Sequence, residues 1–478
     1  MFCVKLSLSS TSFYSKEAAD SIKDLEPNAA DLLIVTTLTS LVTDVGVVSP
    51  TSGGLLMYHN GLKNKNYSLD GYFVAPNNFT GNDHEEHRIT LTYGGHVETC
   101  KGANTFAIPG IYKILDYVYK NFASLPISKL TEFPIYIAKK GFKLTQPSKD
   151  YLVHSLLPLF FWHEEAKNTF KYINEDIDVG EVHFIKLADT FEHISNVGFE
   201  DFYSGDISRE LVSTIKNEGG HATLQDFINY SLIEDKIFNF KYKNINLSGQ
   251  SGPSIGGLMV LKYLQALEKS NSIINAFKDV YIERKAKFEK FGNRDDLIKS
   301  EIEKLTQSPS TIQISTSDEN DNHFSLTFSS GYGSGVQCKN TGMFFNNSLG
   351  EIELNPQGFL GNTFGDRLIS NMSPLIVSNE NSISAIGSPG ADRISSAMAL
   401  VLDKYNKDFD WRSSIDSPRF HVNKDGLLRH EPNINFEYNN SEITKEFDMY
   451  FGGVCVTGKS NSIYAFGDKR RGDISWLN

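Results

Sequence analysis

Residues 82–88 form a dense group of possible metal ligands. They read Asn-Asp-His-Glu-Glu-His-Arg, and histidine and carboxylate side chains are common metal ligands. The segment is polar and lacks the periodicity of a strand or helix that would hold several ligands in place. We therefore interpret it as a solvated run of charge and predict no metal site there.

A second candidate for chemistry is the hydroxyl group of Thr311, which begins a run of alternating apolar and polar residues. The run Thr311-Ile-Gln-Ile-Ser-Thr-Ser predicts a half-buried strand, and Phe324-Ser-Leu-Thr-Phe328 predicts a second strand after a polar turn. We interpret the two strands as a β-hairpin. Threonine is favoured in strands in any case, so the alternation alone assigns no reaction to Thr311.

The first part of the chain is predicted to be rich in helices. Residues 16–48 predict two helices, with Asn28 as the N-cap of the second. That second helix is apolar but carries Asp31 and Asp44, which favours a buried helix over a membrane span. Residues 111–122 show the spacing of an amphipathic helix.

The later part of the chain has a different pattern. Helical segments are predicted from about 150 to 265, and the charged stretch 277–310 is predicted to be an exposed helix and linker. After residue 310 short strands dominate, with a helix near 393–405. Helices followed by strand hairpins predict an α+β fold.

Bulk composition excludes some partners. A net charge of -12 and a pI near 5.5 argue against nucleic-acid binding. The four cysteines, Cys3, Cys100, Cys338 and Cys455, show no CxxC spacing and are interpreted as free thiols. The first residues contain no basic segment typical of a signal peptide. We expect a cytoplasmic protein that does not associate with membranes.

An ordered series of motifs resembles the γ-glutamyltransferase family and runs along nearly the whole chain. The resemblance depends on the order and spacing of many short segments. The similar segments are Ser49-Pro-Thr-Ser-Gly-Gly, Leu69-Asp-Gly-Tyr-Phe-Val-Ala-Pro76, Phe106-Ala-Ile-Pro-Gly110, Gly198-Phe-Glu-Asp-Phe-Tyr-Ser-Gly205, Gly219-Gly220, Gly252-Pro-Ser-Ile-Gly-Gly257, Gly333-Ser-Gly335, Gly342-Met-Phe-Phe-Asn-Asn347, Met372-Ser-Pro374, Gly387-Ser-Pro-Gly390 and Pro418-Arg-Phe420.

This resemblance implies an N-terminal-nucleophile hydrolase with a four-layer αββα sandwich, matured by cutting itself before a threonine. Aligning Asn322-His-Phe-Ser-Leu-Thr327 with the family pattern N-A-V-S-L-T places Thr311 on that threonine. The implied cleavage between Ser310 and Thr311 gives a large fragment, 1–310, and a small fragment, 311–478. The two would form a heterodimer and together one sandwich.

The resemblance also assigns the catalytic groups. Thr311 would be the nucleophile, with its freed α-amine as the base, and Ser329 would supply a second hydroxyl group that bonds the nucleophile. The N–H groups of Gly390 and Ala391 would form the oxyanion hole. This machinery implies no metal and no cofactor.

Several residues that the resemblance assigns to substrate binding depart from the family pattern. Tyr72 stands at the arginine that pairs with the γ-glutamyl α-carboxylate, and a phenol cannot replace a bidentate guanidinium group. Glu351 stands at the aspartate that holds the substrate amine. Gly331 and Ser348 stand at two further polar positions, which are Asn and Glu or Gln in the family. The site is therefore expected to favour a cationic amine but to bind the α-carboxylate poorly.

Other departures lie beside the reacting groups. Ser370 and Asn371 replace a pair of serines in substrate binding, and Ile312 and Gln313 replace a threonine and a histidine after the nucleophile. The resemblance implies an amidohydrolase or acyltransferase for a γ-glutamyl or related small-molecule amide or short peptide. Two alternatives stay open: an acylase-like amidase for a non-glutamyl amide, and a family member without activity that acts as a binding or scaffold protein.

Overall fold

The computed structural model describes residues 5–77, 87–92, 97–171, 173, 181–251, 254–269, 272–289, 311–352, 365–423, 426–434, 436 and 438–478. The helices within these residues are α1 (Ser15–Ile22), α2 (Ala29–Thr43), α3 (Ile111–Phe122), α4 (Ile127–Lys140), α5 (Gln146–Ser155), α6 (Glu164–Phe170), α7 (Ile185–Val197), α8 (Asp201–Ser204), α9 (Asp206–Asn217), α10 (Leu224–Ile228), α11 (Gly256–Lys269), α12 (Ile273–Glu289), α13 (Ile394–Asp408) and α14 (Trp411–Asp416). The strands are β1 (Leu6–Ser10), β2 (Gly53–Asn60), β3 (Lys65–Gly71), β4 (Arg88–Leu91), β5 (Val97–Cys100), β6 (Ile233–Glu234), β7 (Ile237–Tyr242), β8 (Ile245–Gln250), β9 (Ile312–Asp318), β10 (His323–Ser329), β11 (Leu375–Ser378), β12 (Ile383–Gly387), β13 (Phe420–Val422), β14 (Leu428–His430), β15 (Ser441–Ile443), β16 (Cys455–Lys459), β17 (Ile463–Phe466) and β18 (Ile474–Leu477).

Helix α2 confirms the predicted buried helix and its cap. The side chain of Asn28 accepts hydrogen bonds from the N–H groups of Ala30 (2.9 Å) and Asp31 (3.1 Å). The Asp31 carboxylate in turn accepts from the Asn28 N–H at 2.9 Å. This reciprocal arrangement satisfies N–H groups that have no partner inside the helix. All fifteen residues of α2 are buried.

Two antiparallel sheets contain most of the strands. The first has the order β18-β1-β9-β10-β2-β3-β6 and the second the order β17-β16-β12-β11-β8-β7. Strands β9 and β10 of the first sheet contact β12 of the second, and β9 also contacts β16. The chain is therefore α+β, as predicted.

The predicted hairpin is confirmed as β9 and β10, but its polar face is not exposed to solvent. Every residue of both strands is buried. The Ser315 hydroxyl lies 3.4 Å from the carbonyl oxygen of Cys455, and the Ser317 hydroxyl donates to that of Thr457 at 2.9 Å. The expectation of a half-buried strand is wrong because the second sheet covers the polar face.

The prediction of recurring helical segments from about 150 to 265 is wrong at residues 233–250, where β6, β7 and β8 lie. The segment Ile237-Phe-Asn-Phe-Lys-Tyr242 alternates as a strand should, and β7 pairs with β8 at the edge of the second sheet. β8 then pairs with β11. Both sheets thus combine strands from before and after residue 311.

Helices share buried apolar clusters with both sheets. Leu33 of α2 belongs to one buried apolar cluster with Ile312 and Ile314. Helices α11 and α13 share a second buried cluster with β8 and β11. The helix predicted from residue 277 is confirmed as part of α12, but Phe277 and Val280 are buried in this second cluster and not exposed. Residues 290–310 of the predicted linker lie outside the described residues.

The described residues include no helix that is both long and apolar enough to cross a membrane. Cys100, Cys338 and Cys455 are buried free thiols, which confirms their predicted state, whereas Cys3 lies outside the described residues.

Candidate active site

Thr311 and Ser329 lie at the same end of the hairpin. Phe328 pairs with Ile312, so continuing the register by one residue sets Ser329 opposite Thr311. Directly opposite residues in an antiparallel pair have Cβ atoms about 4.5–5.5 Å apart. Both residues have odd numbers, and the odd-numbered residues of β9 and β10 face the second sheet. Each is 5% exposed, so the predicted nucleophile and its predicted partner share one buried edge.

Strand β12 of the second sheet leads to the predicted oxyanion loop, residues 387–391. A Cβ atom on Gly387 would lie 2.1 Å from Oε1 of Gln313, so the loop begins two residues along β9 from Thr311. Gly390 has φ +130° and Ala391 has φ +51°, in the left-handed region that L-residues rarely adopt. Among the described residues, no oxygen accepts a hydrogen bond from the N–H of Gly390 or Ala391. Two backbone donors are therefore available at this loop.

Glu351 and Gly331 fit each other in size. Gly331 has φ +66°, and a Cβ atom there would lie 2.8 Å from Oε1 of Glu351 and 2.5 Å from Oδ1 of Asn347. The Gly331 N–H donates to the Ser329 hydroxyl at 3.0 Å. The carboxylate of Glu351 thus occupies the space of a side chain at 331, two residues from Ser329.

A pair of asparagines fixes this region, and their role was not predicted. Asn347 Oδ1 accepts from the Tyr332 N–H at 2.8 Å, and its Nδ2 donates to the Cys100 carbonyl oxygen at 3.0 Å. Asn346 donates to the carbonyl oxygens of Thr51 (3.0 Å) and Ala107 (2.9 Å). The motif that ends in Asn346-Asn347 contained the signal, but only the structure shows that it joins two other motif segments, 49–54 and 106–110.

Ser348, which follows these asparagines, is 2% exposed in a short turn, Ser348–Gly350. Ser370 and Asn371 are buried on another segment, where the Ser370 carbonyl oxygen accepts from the Ile255 N–H at 3.0 Å. A Cβ atom on Gly256 would lie 2.1 Å from the Asn371 carbonyl oxygen. The segment 254–257 therefore supports Ser370 and Asn371.

Tyr72 lies in an apolar environment. It is 3% exposed and shares a buried cluster with Leu349, Leu368 and Met372, which brings it next to the segments that carry Ser348 and Asn371. Arg367 lies close by, but its guanidinium group bonds the main chain. Its Nη1 donates to the Tyr72 carbonyl oxygen at 2.5 Å.

The Arg367 guanidinium group has further partners within the protein. It donates to the Ser231 carbonyl oxygen at 2.5 Å and to the Tyr230 hydroxyl, and its Nε lies 3.6 Å from Asp70. Burial raises the pKa of Asp70, while Arg367 opposes that rise. Arg367 therefore stabilises the end of β3.

Ser310 and most of the group 82–88 lie outside the described residues. The structure brings Thr311, Ser329 and the predicted oxyanion loop to one end of the sheet interface, with Glu351 beside Gly331. The described residues contain no group of three or more His, Cys, Asp or Glu side chains placed to hold a metal ion.

The chain is similar in sequence and fold to several known proteins. A family model described as gamma-glutamyltranspeptidase matches residues 16–295 and 278–473. The glutathione hydrolase proenzyme of Pseudomonas aeruginosa is 26% identical over 468 residues, covering 85% of this chain and 81% of that protein. The capsule biosynthesis protein CapD proenzyme of Bacillus anthracis is 24% identical over 410 residues, covering 76% of this chain and 74% of that protein.

The crystal structure of cephalosporin acylase from Bacillus halodurans has a similar fold, with a TM-score of 0.78, 17% identity and coverage of 100% of this chain and 96% of that one. Because the family model matches most of its length, the chain belongs to the γ-glutamyltranspeptidase family.

Proposed function

We propose that the protein is an amidohydrolase or acyltransferase that cuts itself between Ser310 and Thr311 and uses Thr311 as nucleophile. The observation that carries this proposal is the register that sets Ser329 opposite Thr311, at the edge where the oxyanion loop begins. Several relatives are described as proenzymes, which supports maturation by cleavage.

The proposed reaction has two stages. The free α-amine of Thr311, with a reference pKa of about 7.7–8.0, accepts the hydroxyl proton as the oxygen attacks the substrate carbonyl. The N–H groups of Gly390 and Ala391 stabilise the oxyanion, and the protonated amine returns its proton to the leaving amine as the C–N bond breaks. Water or an acceptor amine then attacks the ester on Thr311 and releases the acyl group.

The proposed layer order is helix, sheet, sheet, helix, which is the αββα sandwich. Contacts of α2 with the first sheet, of the sheets with each other, and of α11 and α13 with the second sheet support it. Because each sheet takes strands from both predicted fragments, the fragments are expected to stay together as a heterodimer after cleavage.

For the substrate, we propose an amide or short peptide whose acyl part lacks the α-carboxylate of a γ-glutamyl group. Tyr72 packs among Leu349, Leu368 and Met372, which favours an uncharged acyl group over one that needs a guanidinium partner. Glu351 is proposed to bind a cationic amine of the substrate. This observation favours the non-glutamyl amidase over a glutathione hydrolase.

The test is the intact mass of the purified chain, with a denaturing gel beside it. Wild-type protein should give two species of 310 and 168 residues, the smaller beginning at Thr311. Thr311→Ala should stay whole and inactive. The matched control is Thr316→Ser on the same strand, which keeps the hydroxyl bond to the Ala29 carbonyl oxygen (2.8 Å) and should still be cut. An uncut wild-type chain after long incubation at several pH values would favour the scaffold alternative instead.

A further inference from the structure

The oxyanion loop, residues 387–391, lies against a second loop, residues 448–454, and their contact is made by backbone atoms and the short side chain of Ser388. A Cβ atom on Gly452 would lie 2.6 Å from the Pro389 carbonyl oxygen, and one on Gly390 would lie 3.1 Å from the Cα of Gly452. The Gly453 N–H donates to the Ser388 hydroxyl at 3.1 Å. Because the loops meet through backbone atoms and one short side chain, Ser388, we expect them to shift together.

Four charged side chains hold the second loop. Arg419, Glu431, Asp468 and Arg470 are each at most 5% exposed. Asp468 pairs with Arg419 at 2.6 Å and with Arg470 at 3.2 Å, and Arg470 also pairs with Glu431. The two positive and two negative charges balance, as a buried set requires. We call these four residues the ion network.

The ion network binds the main chain of the second loop at three points. A Glu431 oxygen accepts from the Asp448 N–H at 3.0 Å, Arg419 donates to the Phe451 carbonyl oxygen at 3.0 Å, and an Asp468 oxygen accepts from the Val454 N–H at 2.8 Å. These contacts fix the loop near both ends and next to Gly452.

The ionised state of the Asp468 carboxylate suits its contacts with the two arginines and the second loop. Burial alone would raise the pKa of Asp468, but the guanidinium groups of Arg419 and Arg470, together with the N–H groups of Arg470 and Val454, lower that pKa below its usual value. Asp468 therefore stays ionised, and its two oxygens bond two arginines and the loop at once.

We propose that the ion network positions the Gly390 and Ala391 N–H groups through the second loop, in addition to stabilising the fold. Its members are positioning residues, since they reach the reacting atoms only through the two loops. This inference rests on the proposed function, because it assigns those N–H groups to the oxyanion. An oxyanion donor must be aimed before the reaction begins, so a small displacement lowers kcat more than it changes KM.

The first test compares Asp468→Asn with Leu264→Ala by activity. Asp468→Asn keeps one oxygen for the Val454 N–H but removes the charge that faces both arginines. Leu264 is fully buried in the cluster of α11 and belongs to neither loop, so its truncation provides a control that destabilises the protein at another element. We expect Asp468→Asn to lower kcat about 10- to 100-fold with KM changed less than about twofold, and Leu264→Ala to keep kcat. Equal kcat values in both variants would overturn the inference.

The second test needs no turnover and uses hydrogen exchange in the uncut Thr311→Ala chain. Asp468→Asn should speed exchange in peptides that cover both 387–394 and 448–454, whereas Leu264→Ala should leave both unchanged. Faster exchange in 448–454 alone would refute coupling between the loops. This readout does not depend on activity, so it is distinct from failure of the proposed function, which an inactive wild-type protein would show. Should Asp468→Asn not fold, Ser388→Ala removes the acceptor of the Gly453 N–H without burying a charge, and the same joint change is expected.

Discussion

Replacing Gly331 with alanine tests whether the carboxylate of Glu351 fills the space of a side chain at residue 331. The new Cβ would lie 2.5 Å from Oδ1 of Asn347 and 2.8 Å from Oε1 of Glu351. Asn347 cannot retreat easily, because it bonds Tyr332 and Cys100. Glu351 is therefore the side chain that must move.

Gly333 provides a matched control for the backbone. Its φ of +77° is close to the +66° of Gly331, but a Cβ there would meet only the Phe345 carbonyl oxygen at 3.8 Å. Gly333→Ala should therefore cost only the left-handed conformation, about 1–2 kcal/mol in the free energy of unfolding. Gly331→Ala should cost that amount plus about 1–3 kcal/mol of overpacking.

The assay is urea denaturation of each variant in the uncut Thr311→Ala chain, so that separation of fragments does not enter. Glu351→Asp shortens the side chain that carries the carboxylate. The double variant, Gly331→Ala with Glu351→Asp, should therefore lose about 0.5–2 kcal/mol less unfolding free energy than the sum of the two single changes. Equal costs for Gly331→Ala and Gly333→Ala, or strict additivity with Glu351→Asp, would refute the size match.

Two other changes test substrate binding and pH dependence. Tyr72→Arg should raise kcat/KM for a γ-glutamyl anilide by about 10- to 100-fold, as a charged hydrogen bond would, and should not raise it for an anilide with an uncharged acyl group; no gain would remove Tyr72 from the substrate site. Burial raises the pKa of Asp44 to about 7, against the hydrogen bonds from Ser12 and Thr43. Since this is above the unfolded value, its stabilisation is complete below about pH 4 and is lost as pH rises towards 7. Asp44→Asn should thus reduce the fall in unfolding free energy between pH 5 and pH 8 by up to about 3 kcal/mol, and an unchanged fall would show that Asp44 does not cause it.

Local patterns predicted the elements around Thr311 because each has a local cause. The cap at Asn28 needs only a carboxylate three residues later, which Asp31 supplies. The hairpin needs only the alternation in 312–318 and 323–329. None of these signals depends on a distant part of the chain.

What covers each face of a strand is decided by distant residues, and this is where prediction failed. Alternation in β9 separates two faces but does not reveal that Ser315 and Ser317 meet the second sheet. In the same way, the fit of Gly331 with Glu351 joins residues that are twenty positions apart. The ion network depends on three loops that meet only in the fold.

Two departures from the family pattern, Ile312 and Gln313, are explained by packing. Ile312 is buried in the apolar cluster with α2. Gln313 Oε1 accepts from the Thr327 hydroxyl at 2.5 Å, and its Nε2 donates to the Ser325 hydroxyl at 3.0 Å. The side chain fits because residue 387 is glycine.

These two residues therefore do not support loss of activity, since neither belongs to the groups assigned to the reaction. The scaffold alternative then depends on Tyr72 alone. Tyr72 lies among apolar side chains beside the segments of Ser348 and Asn371, so a change there alters which acyl group binds and leaves Thr311 and the oxyanion loop in place. We therefore expect an altered substrate preference and retained self-cleavage, and an uncut wild-type chain would contradict this reasoning.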